Sequence, residues 1–185
     1  MKRIILATIA TLACNLALAA EPGPYLSASV GSAEQKIRTS GLSVEMSDTA
    51  FQLAGGYRYE NNIGIEAGYT NMGKATIAAD TVSLSSKPKS IHLAATYSYN
   101  LTPDFALTGK VGGVHTRTVL TIKDGTMSDS EAELRNSLLV GVDVSYAFKP
   151  HVALTADYQN FGKIVRSNGE GLKAQVVSVG VRYNF

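Results

Sequence analysis

The sequence predicts an all-β protein, specifically an eight-stranded antiparallel up-and-down transmembrane β-barrel. Three observations lead to this prediction. The chain contains many short segments with a period of two, the links between them alternate between short and long, and the two faces of each segment differ in residue type. Period two is the repeat of a β-strand, in which successive side chains point to opposite faces.

The last segment shows the period most clearly. Between Val177 and Phe185 the odd positions are all apolar: Val177, Val179, Val181, Tyr183 and Phe185. The even positions are small or polar: Ser178, Gly180, Arg182 and Asn184. One face of this strand is therefore fully apolar, and the other face is not.

Seven further segments share this alternation, although the first and the fifth follow it loosely. In chain order they are Tyr25–Arg38, Phe51–Tyr59, Ile63–Thr70, Ile91–Tyr99, Phe105–Ile122, Ser137–Phe148 and Val152–Gln159. Leu139 is an exception, because it is a large apolar residue on the otherwise small and polar face. An even number of strands places both chain ends on the same side.

The links between these segments alternate in length. Three are short and rich in turn-forming residues: Glu60–Asn62, Leu101–Asp104 and Lys149–His151. Four are longer and polar: Thr39–Asp48, Thr76–Lys87, Lys123–Glu133 and Arg166–Leu172. Short links at one end and long links at the other predict an up-and-down meander with turns at one end and loops at the other.

The residue types on the two faces decide between a barrel in lipid and a soluble β-sandwich. A sandwich would bury its large apolar residues and leave the small face in solvent, which does not explain why that face is rich in Gly and Ala. An eight-stranded barrel has an interior only just wide enough for side chains, so small residues belong inside it. The apolar face then points to lipid, which also requires the barrel to close.

Aromatic residues support this orientation, because most of them lie beside the short turns or at the C-terminus. They predict a dense aromatic girdle at that end: Tyr57, Tyr59, Tyr97, Tyr99, Phe105, Tyr146, Phe148, Tyr183 and Phe185. A thinner girdle is expected at the opposite end: Phe51, Tyr69, Tyr158 and Phe161.

The N-terminus has the three parts of a secretory signal. Lys2 and Arg3 precede the apolar run Ile4–Leu18, and Ala17-Leu18-Ala19 supplies small residues before a cut. We therefore predict a signal peptide at residues 1–19 and a barrel domain at residues 20–185. An uncleaved anchor helix and a lipid anchor on Cys14 remain alternatives; the apolar run is short for a span, which needs about 20 residues.

Removing the signal leaves a neutral chain. The sequence has 17 basic and 15 acidic side chains, and the signal contains two of the basic ones. No concentrated basic patch remains, so no nucleic-acid partner is expected. Cys14 is the only cysteine, so the mature chain has no disulfide.

Six charged residues have inward parity and form the candidate site, a lumenal charge network. They are Arg58, Glu66, Lys110, Asp143, Asp157 and Arg182. Unpaired charges in a narrow interior are costly, so we expect them to pair or to hold water. Arg58 and Glu66 lie on neighbouring strands and are expected to pair directly. A packed polar core is favoured over a gate or narrow ion path.

Catalytic, cofactor and metal sites are not predicted. A barrel enzyme acting on lipid A would need a Ser-His-acid set near the outer rim. Among the three histidines only His115 is well placed, and nothing in the spacing joins it to Ser128, Ser130 or Glu131. There is no phosphate-binding loop, paired-cysteine motif or dinucleotide fingerprint.

Several segments resemble the OmpA transmembrane barrel family. Gly55–Tyr59 and Ile63–Tyr69 look like its second and third strands, Lys110–Gly113 like its fifth, and Val176–Phe185 like its last. Tyr183 and the terminal Phe185 resemble the signal that the outer-membrane insertion machinery reads. The family's periplasmic peptidoglycan-binding domain has no counterpart after the final strand, so a link to the cell wall is not expected.

The resemblance implies a Gram-negative outer-membrane protein. We expect a structural or interaction protein that supports membrane integrity or surface contact through its outer loops, without catalysis. A small porin-like channel and a lipid A-modifying enzyme are the alternatives. Expected partners are outer-membrane lipid and lipopolysaccharide, the insertion machinery and periplasmic chaperones, and the expected oligomeric state is a monomer.

Overall fold

A computed structural model describes residues 22–39, 42–79, 82–124, 127–167 and 170–185. The predicted signal peptide, including Cys14 and the proposed cut after Ala19, lies outside the described residues. Among those that are described, no helix has the length and apolarity that a helical membrane span requires.

The described chain forms nine antiparallel strand segments. They are β1 (Gly23–Thr39), β2 (Leu42–Arg58), β3 (Ile63–Asn71), β4 (Ala75–Ala79), β5 (Val82–Asn100), β6 (Phe105–Asp124), β7 (Met127–Lys149), β8 (Val152–Ser167) and β9 (Glu170–Asn184). Segments β3 and β4 both pair with β5 and occupy one strand position. They are separated by a break at which Gly73 adopts a φ of 72°.

The eight strand positions close into a barrel, which confirms the predicted fold class. Each strand pairs with its neighbour in the chain, and β1 pairs with β9, for example Val30 with Val179. Closure removes both sheet edges, as a strand structure in lipid requires. The register is staggered around the barrel: a path of ladder partners that leaves β1 at Gly23 returns to β1 at Ala33, farther along the same strand.

The two ends of the barrel differ. The turn end carries the short links and both ends of the described chain. In its first turn, Asn62 has a φ of 64°, a conformation that Asn tolerates better than most residues. At the other end, which we call the hairpin end, strand pairing continues almost to each tip: Thr39 pairs with Leu42, and Asp124 with Met127.

The prediction of four long polar loops was therefore wrong in one respect. Most residues of those stretches lie in strands that extend the barrel as β-hairpins. The period of two marks a strand only where one face meets lipid and the other the lumen. Above the membrane both faces can be polar, while the backbone ladder continues without that pattern.

The two faces of the wall follow the predicted parity. The outward positions of β9, such as Val179, are exposed, and the inward positions, such as Ser178, are buried. Phe161 is a correction, because it was expected in the girdle at the hairpin end but is fully buried in the lumen. The odd positions of β8 face inward from Ala153 as far as Phe161, so the ring follows the strand's parity. The irregularity in the β8–β9 pairing, with Gly162 at a φ of 68°, does not change its direction.

Candidate functional site: the charged lumen

The six predicted charged residues all point into the barrel. Arg58, Glu66, Lys110, Asp143 and Arg182 are buried, and Asp157 is half-buried. They come from β2, β3, β6, β7, β8 and β9 and lie towards the turn end. Three cations and three carboxylates therefore share the lower half of the lumen, and their formal charges balance.

Glu66 is the centre of one group of contacts. One carboxylate oxygen, Oε1, lies 2.8 Å from Lys110 Nζ and 3.4 Å from His92 Nε2. The other, Oε2, accepts a hydrogen bond of 3.0 Å from the Tyr25 hydroxyl. Both carboxylate oxygens are thus engaged by side chains from β1, β5 and β6, and this one residue ties four strands together across the lumen.

A second group forms around Asp143. Arg182 Nη2 donates to Asp143 Oδ1 at 3.0 Å. Asp157 is the cross-strand partner of Asp143, which places two carboxylates side by side on β7 and β8. Like charges at this spacing repel, and Lys110 Nζ, 3.6 Å from Asp157 Oδ1, offsets the repulsion. Lys110 therefore links the two groups.

The expected direct pair of Arg58 with Glu66 is a correction. Arg58 Nε instead donates to Ser98 Oγ at 3.1 Å, while the cation paired with Glu66 is Lys110. The Tyr25 ring explains this outcome. It lies 5.6 Å from the Arg58 guanidinium carbon and 4.9 Å from that of Arg182, and its hydroxyl occupies one side of the Glu66 carboxylate.

Glycines in the wall make room for these side chains. A Cβ on Gly56 would lie 2.5 Å from the Tyr25 hydroxyl, and one on Gly141 would lie 2.9 Å from Cγ of Lys110. A Cβ on Gly68 would collide with the His92 ring. The glycines on the inward face of the wall thus leave the space that the side chains of Tyr25, Lys110 and His92 occupy in the lumen.

An apolar layer lies above the charges, towards the hairpin end. On four strands a buried apolar residue follows the charged one in that direction: Val114 after Lys110, Leu139 after Asp143, Phe161 after Asp157 and Val176 after Arg182. With Met72 and four alanines they form one contiguous buried cluster. Between the layers, Gln159 Nε2 donates to Gln52 Oε1 at 3.0 Å across the lumen.

Sequence reasoning missed Tyr25 and the role of His92. Tyr25 lies in the first strand, whose alternation is loose, and a lone inward Tyr carries no signal of its own. His92 has inward parity, but its partner became apparent only when the register placed it opposite Gly68, beside Glu66. The closing of β9 against β1 puts Tyr25 next to Arg182, which no local pattern could show.

Tyr183 and Phe185, the predicted insertion signal, lie on the outer wall at the turn end. Both are exposed, and their rings are 5.0 Å apart in an edge-to-face arrangement. The Phe185 amide donates to the Pro24 carbonyl oxygen at 3.1 Å, which closes the last pairing of the barrel. Recognition of these two residues by the insertion machinery stays a prediction.

Metal and catalytic arrangements are not found in the part of the chain that the structure describes. No group of three or more His, Cys, Asp or Glu residues there is arranged to hold a metal ion. His115 Nδ1 lies 2.6 Å from Asn136 Oδ1 on the outer wall. The side chains of Ser128, Ser130 and Glu131 lie outside the described set.

Comparisons with known proteins agree with this architecture. The chain is 27% identical over 135 residues to outer membrane protein A of Shigella flexneri, a match that covers 71% of this chain and 38% of the relative. Outer membrane protein A of Salmonella typhi is also 27% identical, over 134 residues. The chain thus spans less than half the length of these relatives.

Solved outer-membrane barrels share the fold. OprG of Pseudomonas aeruginosa superposes with a TM-score of 0.59 at 14% identity, covering 91% of this chain and 99% of that one. Neisserial surface protein A gives a TM-score of 0.55 at 24% identity, covering 88% and 97%. The family model described as the outer membrane protein beta-barrel domain matches residues 4–185. This chain therefore belongs to the outer membrane protein β-barrel family and resides in the cell outer membrane of a Gram-negative bacterium.

Proposed function

We propose that this protein is a structural and surface-contact component of the outer membrane, with a closed lumen and no catalytic activity. The observation that carries the proposal is the layered interior. Paired charges fill the lower half, and a contiguous apolar cluster closes the upper half. In outer-membrane barrels the short turns are periplasmic, so the turn end faces the periplasm and the hairpin end faces outward.

The apolar layer argues against a channel. Phe161, Leu139, Met72 and Val176 are fully buried, so they leave no wetted path between them. An ion that entered the layer would lose most of its hydration shell against these apolar side chains, and apolar constrictions block conduction by dewetting. The charges below bind one another across the lumen, which favours a packed core over an ion path.

The outer hairpins provide the surface for contact. A barrel strand crosses the bilayer with about 9–11 residues, whereas β6 and β7 have 20 and 23 residues. Their pairing continues to Asp124 and Met127. A paired ladder holds its outermost residues in a fixed arrangement, which suits binding to lipopolysaccharide or to another surface without a folding step.

The three histidines support a role without catalysis. His92 is buried against Glu66, His115 lies against Asn136 on the outer wall, and His151 lies in a turn at the periplasmic end. Among the described residues none of them hydrogen-bonds a serine hydroxyl, the contact that activates a nucleophile in a hydrolase.

The proposal is tested in two steps. Refolded protein in a planar bilayer should show no ion conductance, and regular conductance steps would contradict the closed lumen. Cells that lack the protein should take up more of a large antibiotic that an intact outer membrane excludes, and the restored wild-type gene should reverse this. Unchanged uptake would remove the contribution to membrane integrity.

A further inference from the structure

The outer wall of the barrel has a cleft on its lipid-facing side. It has a volume of about 320 Å³ and is lined by Ile91, Leu93, Gly113, His115 and Asn136, among others. Its floor is Gly113, an outward-facing residue of β6 without a side chain. A Cβ built there would meet nothing within 4 Å, so the space above this glycine is open.

Basic side chains stand directly above the cleft. Lys89 and Arg117 are cross-strand partners on β5 and β6 and occupy the next outward-facing positions beyond Ile91 and His115. Both are exposed, as is Lys87 one outward position farther along β5. Among the described residues no carboxylate forms an ion pair with Lys89 or Arg117. Within the part of the chain that the structure describes, this pair of adjacent cations thus has no carboxylate partner.

The depth of these cations is that of the outer membrane surface. Tyr69, on the neighbouring strand β3, is the ladder partner of Ile91 and is exposed to the outside of the barrel. Tyr at the end of a lipid-facing strand marks the interface between acyl chains and headgroups. Lys89 and Arg117 lie just beyond this level, beside the headgroups, and the cleft lies just below it, beside the acyl chains.

From this geometry we propose that the cleft and the two cations form a binding site for the lipid A part of lipopolysaccharide. The cations take a phosphate on the sugar headgroup, and an acyl chain fills the space above Gly113. Between them the His115–Asn136 pair offers polar atoms at the level of the sugar. A free phosphate ion would leave the cleft unused, so a membrane lipid is the ligand that fits both parts.

The opposite side of the barrel lacks this combination. There Lys173 of β9 is exposed at the hairpin end, and its ladder partners are Lys36 of β1 and Lys163 of β8. Glu34 of β1 lies diagonally across the ladder, so these cations have a carboxylate nearby, and in the ladders that the structure describes no outward-facing glycine is their neighbour. Lower on β6, Gly109 leaves a similar open space on the outer wall, without cations beside it. Lys173 and Gly109 therefore provide matched controls.

The test uses the mature protein in phosphatidylcholine nanodiscs, with binding of bis-phosphorylated lipid A measured by native mass spectrometry. The double variant Lys89→Gln with Arg117→Gln should bind about thirtyfold more weakly, since a cation at a membrane surface contributes about fivefold. Gly113→Leu, whose Cβ would meet nothing within 4 Å, should place its side chain in the cleft and weaken binding about fivefold. Lys173→Gln and Gly109→Leu should bind like the wild type.

Each contrary result would overturn the site. If the double variant binds lipid A as tightly as the wild type, Lys89 and Arg117 are not part of the site. If Gly113→Leu binds as tightly as the wild type, the cleft is not part of the site. Equal competition by phosphatidylglycerol would show a general anion surface, and displacement by inorganic phosphate would show a phosphate site. This inference uses one part of the proposed function, namely that the barrel lies in the outer membrane with its hairpin end outward. It does not depend on the closed lumen, so ion conductance would not change the outcome of this test.

Discussion

The contact between Glu66 and Lys110 provides the most quantitative prediction. The two charged groups are 2.8 Å apart and almost fully buried, and the carboxylate also binds Tyr25 and His92. Removing one partner of a buried pair costs about 3–5 kcal/mol, because the other charge stays behind uncompensated. We expect this cost for Lys110→Met. Glu66→Gln should cost less, about 2–3 kcal/mol, since Asp157 remains 3.6 Å from Lys110 Nζ.

The double variant measures the coupling between the two residues. At an effective dielectric constant of about 20, two charges at this separation attract by roughly 6 kcal/mol before their neighbours are counted. Competing partners reduce this value, and measured couplings in such networks are about 0.5–3 kcal/mol. We expect about 2–3 kcal/mol for Glu66 with Lys110. The coupling of Glu66 with Arg58 should be well below that, because Tyr25 lies beside both.

The chain has no tryptophan, so unfolding by urea in lipid vesicles is best followed by circular dichroism and by the gel mobility of the folded barrel. Glu60→Gln, an exposed charge in the first turn, serves as the control and should change stability by less than about 0.5 kcal/mol. A Glu66–Lys110 coupling indistinguishable from zero would refute the reasoning. So would a larger coupling for Glu66 with Arg58.

Three further predictions concern the packing and the lipid-facing side of the barrel strands. Deleting Phe185 removes an exposed ring and the final backbone bond of the closing strand, so outer-membrane yield should fall in a fractionation experiment, and unchanged yield would contradict its role in insertion. Val179→Arg places a charge in lipid and should lower the free energy of unfolding by about 2–4 kcal/mol in a refolding titration. Gly180→Ala should fail to fold, because its Cβ would collide with the backbone of β1. If Val179→Arg leaves stability unchanged, the outward assignment of Val179 on β9 is wrong. Gly56→Val should lower stability by about 1–3 kcal/mol, because its Cβ would lie 2.5 Å from both the Ile65 carbonyl oxygen and the Tyr25 hydroxyl. Wild-type stability in the same titration would show that neither neighbour needs that space.

The sequence predicted most of the wall because the membrane imposes a simple rule on it. Where one face of a strand meets lipid and the other meets the lumen, apolar and small or polar residues alternate regularly. The inward direction of Glu66 and Asp143 could therefore be predicted from their positions in that alternation. The rule ends where the membrane ends. The outer hairpins carry no such pattern. Phe161 was assigned to the outer girdle because it is aromatic, although its odd position on β8 has the same inward parity as Asp157 and Gln159.

The pairing inside the lumen was harder to predict than the placement. Parity predicts whether a side chain points into the lumen, but it does not predict which side chain it meets there. The neighbour depends on the stagger of the strands, which brings residues that are far apart in sequence to the same depth. Lys110 reaches Glu66 across the lumen from β6, and Tyr25 reaches it from β1. Because Arg58 and Glu66 lie on adjacent strands, the sequence suggested Arg58 as the partner of Glu66 instead. A single aromatic ring, accommodated by Gly56, changed the partner, and only the closed barrel brings that ring into position.

Single-channel recording on the refolded wild-type protein tests the closed lumen most directly. The measurement uses a planar bilayer in concentrated salt, with an open porin in the same chamber as the positive control. A lumen filled by paired charges below and sealed by Leu139, Phe161 and Val176 above predicts a silent trace at all moderate voltages. Regular, reproducible current steps from the folded protein would contradict it.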